Sequence, residues 1–294
     1  MKRKIYKLFS LYTAVNLGME LSDELKYMLE QYEINVNELI NKFGTEKITR
    51  KDVEDYIKEM YFPRVKILKK LDPVRKVIAR RLASSYDSAV HVTLFKTINV
   101  EPLLSAKEKL ESILGGKVTF TFTLLKPLAR VLDGSIFNSE LRGDDEVIMY
   151  EDVNIAIAVQ TKKGLVTPVI RRVSEKSLKT LYKEYVDIIS RARSLKLKQK
   201  DLVGGTFTLS NLGMYGTDYF TQIINPPQIA ILGVGKIKEE LTFTPSSGLK
   251  TIKVATFSLT FDHRVADGAD AAAFLAKLEN EIKTFIENCI LFEG

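Results

Sequence analysis

The chain is poor in the residues that build disulfide and metal frameworks. It holds one cysteine, Cys289, and two histidines, His91 and His263, in 294 residues. A single cysteine excludes an internal disulfide and any multi-cysteine metal site, and it fits a reducing cytoplasm. Two histidines far apart in sequence, with no matching carboxylate cluster, argue against zinc. No apolar run approaches the roughly 20 residues of a membrane span. Residues 1–15 (MKRKIYKLFSLYTAV) begin basic, but Lys7 interrupts the apolar stretch and no small-residue cleavage pattern follows. That stretch reads as a tail or short helix, not a signal peptide. No nucleic-acid-binding motif is present, and the lysines and arginines are dispersed. The net charge of +7 therefore suits an anionic small molecule such as a nucleotide-bearing thiol, or solubility alone.

The length accommodates one large domain and a small module. After a tail over residues 1–19, residues 20–60 read as a small helical unit. Ser22 caps one helix with Leu25, Met28 and Leu29 on its apolar stripe, and Ile34-Asn35-Val36-Asn37 breaks the pattern. Thr49 caps a second helix that turns Val53, Tyr56 and Ile57 inward. Residues 61–70 (YFPRVKILKK) form a short basic linker without the Pro/Ala-rich character of a swinging arm. Residues 71–294 are the main domain. It opens on a helix with Val74, Ile78 and Leu82 as its stripe and Arg75, Lys76, Arg80 and Arg81 on other faces. Helices are expected over 100–114, 120–132 and 177–194, and strands over 153–159 and 165–170 around the turn Thr161-Lys162-Lys163-Gly164.

Two stretches carry candidate chemistry. Val254 to Phe261 (VATFSLTF) has the β-branched and aromatic make-up of a buried strand, and 269–286 reads as a helix. His263 stands at the turn between them, where a side chain is held yet faces a cleft, and a neutral imidazole is the usual base near pH 7. Asp267 follows four residues on, placed either to orient the site or to cap the following helix. In the second stretch a strand (TFTL) delivers Ser210 and Asn211 into a glycine-containing turn, Leu212 to Gly216. His91, within AVHVTLF (residues 89–95), reads as structural.

These blocks carry a family resemblance. DHRVADGADAAAFL resembles the D-H-R-x-x-D-G-A signature of dihydrolipoamide acyltransferases, the E2 cores of 2-oxoacid dehydrogenase complexes. GGTFTLSNLGMYG, NPPQIAILGVG, VNIAIAVQTKKGLVTPVI and AVHVTLF resemble further blocks of that family in the same order. The resemblance covers residues 71–294 well and 20–57 loosely. There K-I-T-R-K-D-V (Lys47 to Val53) resembles the end of the peripheral-subunit-binding module, although the loop before it is shortened to Phe43-Gly44-Thr45-Glu46.

The resemblance implies an α/β fold of the chloramphenicol-acetyltransferase type, a mixed sheet with helices, preceded by the helical module. It implies acyl transfer between S-acyl-dihydrolipoyl and coenzyme A, with His263 as general base and Ser210 as oxyanion donor. Asp267 would order the site through a nearby arginine. Asn211 and Gly233 would line the coenzyme A channel, and Arg75 would meet its phosphates. It further implies a homotrimer, with each site shared between neighbours, assembled into a larger hollow particle. The apolar tail Ile290-Leu291-Phe292 would dock on a neighbouring trimer, and E1 and E3 subunits would be partners. Nothing resembles a lipoyl-lysine hairpin, so the lipoyl group is expected on a separate carrier chain or on a domain missing by truncation. No metal is implied. Two other readings stay open: a shell-forming scaffold paralogue with little flux, against which Ser210, His263 and Asp267 argue, and an acyltransferase for a free small acceptor, against which SNLGMYG and NPPQIAILGVG argue.

Overall fold

The computed structural model describes residues 21–143, 145–244 and 248–285; the tail over 1–19 and the apolar stretch from Asn288 to Gly294 lie outside the described residues. The chain divides into two compact units, 1–70 and 71–294.

Among its described residues the first unit contains three helices, α1 (Asp23–Gln31), α2 (Val36–Phe43) and α3 (Arg50–Tyr61). The sequence reading had two, with a break over 34–37. That break is instead the start of α2. Asn35 adopts an extended conformation and its side chain accepts the N–H of Asn37 at 3.0 Å, the usual N-cap arrangement, while Ile34 and Val36 on either side are buried. Thr49 caps α3 reciprocally: its hydroxyl accepts the Asp52 N–H, and the Asp52 carboxylate accepts the Thr49 N–H at 2.8 Å. Leu25, Leu29, Leu39, Val53, Tyr56 and Ile57 close a small core.

The second unit begins with α4 (Pro73–Ser88), capped by Asp72, whose carboxylate accepts the Arg75 N–H at 2.9 Å. Of its expected apolar stripe, Ile78 is half-buried and Leu82 is exposed. Ser85 anchors the helix by donating to the carbonyl of Ile224 at 2.6 Å. The next elements are β1 (His91–Asn99), α5 (Glu101–Leu114), α6 (Phe120–Leu132), and a hairpin of β2 (Ser139–Arg142) and β3 (Glu146–Met149). The expected strands over 153–159 and 165–170 each divide in two. β4 (Ile155–Ile157) and β7 (Val169–Ile170) stay in the main sheet, while β5 (Val159–Thr161) and β6 (Gly164–Val166) pair as a separate hairpin. Pro168, which has no N–H to give a ladder, sits at the second break and offers its carbonyl to Ile157.

After α7 (Leu178–Arg193) come β8 (Phe207–Asn211), β9 (Ala230–Val234), β10 (Lys238–Thr244), β11 (Gly248–Asp262) and α8 (Gly268–Lys283). The main sheet runs β1-β11-β9-β8-β4-β7, with β10 also paired to β11. β4, β8 and β9 are mutually parallel, and β11 is antiparallel to both β9 and β1. Alternation along β11 fixes its two faces. Phe257, Leu259 and Phe261 enter the main core together with α6 and α8, while Ser258 and Thr260 face the other way and bond to Gln222. Among the described helices none is long and apolar enough to cross a membrane.

Candidate active site

His263 is the first residue past β11. Its backbone N–H donates to the carbonyl of Val90 at 2.8 Å, which ties the strand end to the start of β1. Its imidazole is 42% exposed and makes no hydrogen bond among the described residues. The ring lies beside Phe261, with centroids 5.8 Å apart and planes at 30°. Nδ1 is 3.8 Å from a carboxylate oxygen of Asp267, too far for a hydrogen bond. Asp267 occupies the N-cap position of α8, where its N–H donates to Asp270 at 2.9 Å, and its side chain is largely exposed. The arginine of the signature, Arg264, pairs with Asp262: Nε lies 3.1 Å from both carboxylate oxygens and Nη2 lies 2.7 Å from one. Burial pushes the Asp262 carboxyl up, but the Arg264 guanidinium and the N–H groups of Arg264 and Val90 more than offset this and leave it below the ordinary aspartate range.

Ser210 is the last residue but one of β8, half-buried, and its hydroxyl has no partner among the described residues. The turn beyond it is fixed by Asn211. The amide of Asn211 donates to Thr121 Oγ1 at 3.1 Å, and its oxygen accepts the Gly213 N–H at 2.9 Å. Gly213 is required there by space, because a Cβ would stand 2.5 Å from the carbonyl oxygen of Gly235. Gly233, directly opposite Ser210 on β9, is buried. A Cβ on it would fall 1.7 Å from Nε2 of Gln222, whose amide fills that space and donates to Ser258. Asn211 and Gly233 thus shape the Ser210 edge from inside the chain.

The register separates the two candidate catalytic groups. Ser210, Gly233 and Ser258 form one row across β8, β9 and β11. Ser210 stands where β8 ends, whereas His263 stands beyond Phe261, which pairs with the start of β9 at Ala230. The two lie at opposite ends of the sheet. At ~3.3 Å per residue, the run from Ser258 to His263 covers ~17 Å, and two strand spacings of ~4.8 Å bring the separation to ~19 Å. A base and an oxyanion donor serving one carbonyl must both come within ~3 Å of their atoms. One chain therefore cannot supply both to a single reaction.

Other candidates fall elsewhere. Arg75 is an exposed residue of α4, near Gly164 at the tip of the β5–β6 hairpin. His91 is committed structurally: Nδ1 is 3.0 Å from the carbonyl of Ala89, Nε2 takes the N–H of Ile224 at 3.2 Å, and the ring stacks on Tyr86. That pairing uses the neutral ring with its proton on Nδ1. A cleft of about 160 Å³ opens where β8 and β9 begin, lined by Arg81, Thr167, Gly204, Asn225, Pro226 and Gln228 among others. His263, Ser210, Asp267, Asn211, Gly233 and Arg75 do not border it, whereas Arg81 and the start of the NPPQIAILGVG block do. Two features escaped the sequence reading: the buried Asp262 clamp, and the Gln222 amide that pins the long β8–β9 connection against Ser258 and Thr260. Among the described residues no group of histidine, cysteine and carboxylate side chains has metal-site geometry.

This mixed sheet with helices on it resembles the architecture of solved E2 catalytic cores. The structure resembles that of the Azotobacter vinelandii dihydrolipoamide acetyltransferase, solved in work on the role of a serine, a histidine and an asparagine in its mechanism, with a TM-score of 0.71 and 32% identity over 76% of this chain and 97% of that one. It also resembles a truncated catalytic core of the Thermoplasma acidophilum 2-oxoacid dehydrogenase multienzyme complex, with a TM-score of 0.67 and 31% identity over 74% of this chain and 98% of that one. The chain belongs to the 2-oxoacid dehydrogenase acyltransferase (catalytic domain) family, whose model matches residues 66–291. Curated relatives include the dihydrolipoyllysine-residue acetyltransferase component of the Rickettsia bellii pyruvate dehydrogenase complex, 36% identical over 73% of this chain and 51% of that protein. The succinyltransferase component of the Buchnera aphidicola 2-oxoglutarate dehydrogenase complex is 28% identical over 92% of this chain and 67% of that protein. The chain spans about half the length of the pyruvate dehydrogenase relatives from Rickettsia bellii and Zymomonas mobilis.

Proposed function

We propose that the chain transfers an acyl group between an S-acyl-dihydrolipoyl group and coenzyme A, as the catalytic core of a 2-oxoacid dehydrogenase complex. The observation that carries this is the pairing of an uncommitted imidazole at one sheet end with an uncommitted hydroxyl at the other, in a chain of the acyltransferase family. A free thiol has a pKa near ~8.5, so little of it is thiolate at neutral pH. His263 takes the proton from the coenzyme A thiol as its sulfur attacks the thioester carbonyl. The tetrahedral oxyanion takes a hydrogen bond from Ser210 Oγ. Collapse breaks the bond to the dihydrolipoyl sulfur, and His263 returns the proton to that sulfur. The reverse direction uses the same groups.

The ~19 Å between the two groups in one chain supports a site shared between neighbours. The solved cubic core of a pyruvate dehydrogenase complex, at a TM-score of 0.71 to this chain, supports a homotrimer within a larger particle. Asp267, at the head of α8, orders the site through an arginine rather than by holding the His263 ring itself. Asn211 and Gly233 serve coenzyme A by shaping the Ser210 edge, and Arg75 meets its phosphates. The lipoyl group arrives on a separate carrier or domain, in the cytoplasm, and the three-helix module is the docking point for E1 or E3.

The test is thiol transfer from acetyl-, isobutyryl- and succinyl-coenzyme A to free dihydrolipoamide, with His263→Ala alongside. One acyl group should react and the variant should be inactive. An assembled wild-type particle that transfers none of the three would favour the scaffold reading, and a variant keeping more than about a tenth of wild-type kcat would remove His263 as the base.

A further inference from the structure

We infer that Asp262 is the positioning residue for His263, acting through Arg264 and Val90; this rests on the proposed role of His263 as base. The imidazole makes no hydrogen bond among the described residues, and Asp267 stands too far away to hold it. Within the chain, its placement comes from the backbone that bears it and from the packing of its ring on Phe261.

Asp262 holds that backbone from every side. Its carboxylate accepts the N–H of Val90 at 3.2 Å, while the carbonyl of Val90 accepts the His263 N–H at 2.8 Å. Val90, the residue before β1, thus grips the two consecutive residues 262 and 263 at one point. The same carboxylate accepts the Arg264 N–H at 3.1 Å and the Arg264 guanidinium through both of its oxygens. The carbonyl of Asp262 accepts the N–H groups of Val265 and Ala266 at 3.0 and 3.3 Å, which closes the turn. Its side chain is 4% exposed and that of Arg264 37%. The fork-to-carboxylate geometry is the strong, directional kind, and burial of the acid shields it from water. A base misplaced by an ångström loses much of its rate even where substrate binding is intact. The arrangement is thus a rigid turn that aims an otherwise untethered ring.

The two halves of the clamp separate by mutation. Asp262→Asn keeps an oxygen for the Val90 and Arg264 N–H groups but sets an amide donor against the Arg264 guanidinium. Arg264→Gln removes the guanidinium half from the other side. Asp262→Ala removes both halves. In assembled full-length protein, with free dihydrolipoamide and acetyl-coenzyme A, the Asn and Gln variants should each lose at least about tenfold in kcat with KM for the coenzyme unchanged within about twofold. Asp262→Ala should lose more; if it fails to fold, the other two carry the test. The second readout does not depend on catalysis: the rate at which diethyl pyrocarbonate modifies His263, followed by mass spectrometry of its peptide. That rate should rise in Asp262→Asn. A folded Asp262→Asn variant with kcat within twofold of wild type overturns the inference. So does an unchanged His263 modification rate, or a rise in KM at constant kcat, which would make Arg264 a substrate contact. His263→Ala inactive beside a fully active Asp262→Asn sinks the positioning role alone. His263→Ala active sinks the base assignment, and the modification rate still reports on the clamp.

Discussion

Mixing two inactive variants should restore activity. Ser210→Ala keeps His263 and lacks the hydroxyl; His263→Ala keeps the hydroxyl and lacks the base. The row Ser210–Gly233–Ser258 and the continuation of β11 past Phe261 put the two groups at opposite ends of the sheet, ~19 Å apart. Rotamer changes cannot close that gap, since a serine hydroxyl and an imidazole together reach only a few ångströms from their backbones. A shared site takes its serine from one chain and its histidine from the next around a ring. In a random one-to-one mixture, a junction works only when the serine side carries His263→Ala and the histidine side carries Ser210→Ala. The chance is one half times one half, so about a quarter of wild-type activity should return in a closed ring. Each variant alone should show at most about a hundredth, the usual result of losing an oxyanion donor or a general base. The two variants would be co-expressed with different tags, mixed particles purified through both tags, and acetyl transfer to dihydrolipoamide measured. Mixed particles no more active than the separate variants would refute the shared site, and with it the claim that Ser210 and His263 act on one carbonyl.

Further expectations follow from single residues. Ser210→Ala should lower kcat about 10²–10³-fold with little change in KM, because the hydroxyl meets an oxyanion present only near the transition state; steady-state kinetics that show raised KM at constant kcat would make it a ground-state contact. Gly233→Ala should cost at least ~1–3 kcal/mol in chemical denaturation, since the new methyl would occupy the site of the Gln222 amide and the β8–β9 connection would have to move; wild-type stability would mean that Gln222 relocates freely. The Asp262 carboxyl is lowered in the folded protein, so its contribution to stability is fully present above the unfolded value near ~3.9 and is lost as pH falls through the lower folded value. Thermal unfolding of Asp262→Asn should therefore lose less on acidification below about pH 4 than wild type, and equal losses would show that the pair with Arg264 contributes nothing to acid stability.

How much of this was legible in the sequence depended on whether the cause was local. The strand–histidine–turn–helix pattern around His263 is written in consecutive residues, and so is the TFTLSN strand that ends in Ser210. The capping of α3 by Thr49 and the span of α6 are local in the same sense. The misses within local structure have local reasons too. The pair Asn35 and Asn37 looks like a loop by composition, yet asparagine is also a strong helix starter, and only the burial of Ile34 and Val36 decides between the two. The strands over 153–159 and 165–170 carried Pro168 as a visible warning of a break.

The balance of roles between two aspartates shows where local reading ended. The spacing of His263 and Asp267 drew attention to Asp267, which turns out to be largely exposed at the head of a helix. Asp262 and Arg264 are opposite charges two residues apart across a strand end, and that was a usable sign of an ion pair. What made Asp262 important was invisible: Val90, 172 positions away and just before β1, offers an N–H to one residue and a carbonyl to the next. The separation of Ser210 from His263 has the same origin. Each residue advertises itself at the end of a strand, but which end of the sheet it occupies is set by β9 running parallel to β8 and antiparallel to β11. That relation belongs to the pairing of strands distant in sequence, and under the proposed mechanism it makes the two candidate groups halves of sites that a single chain cannot complete.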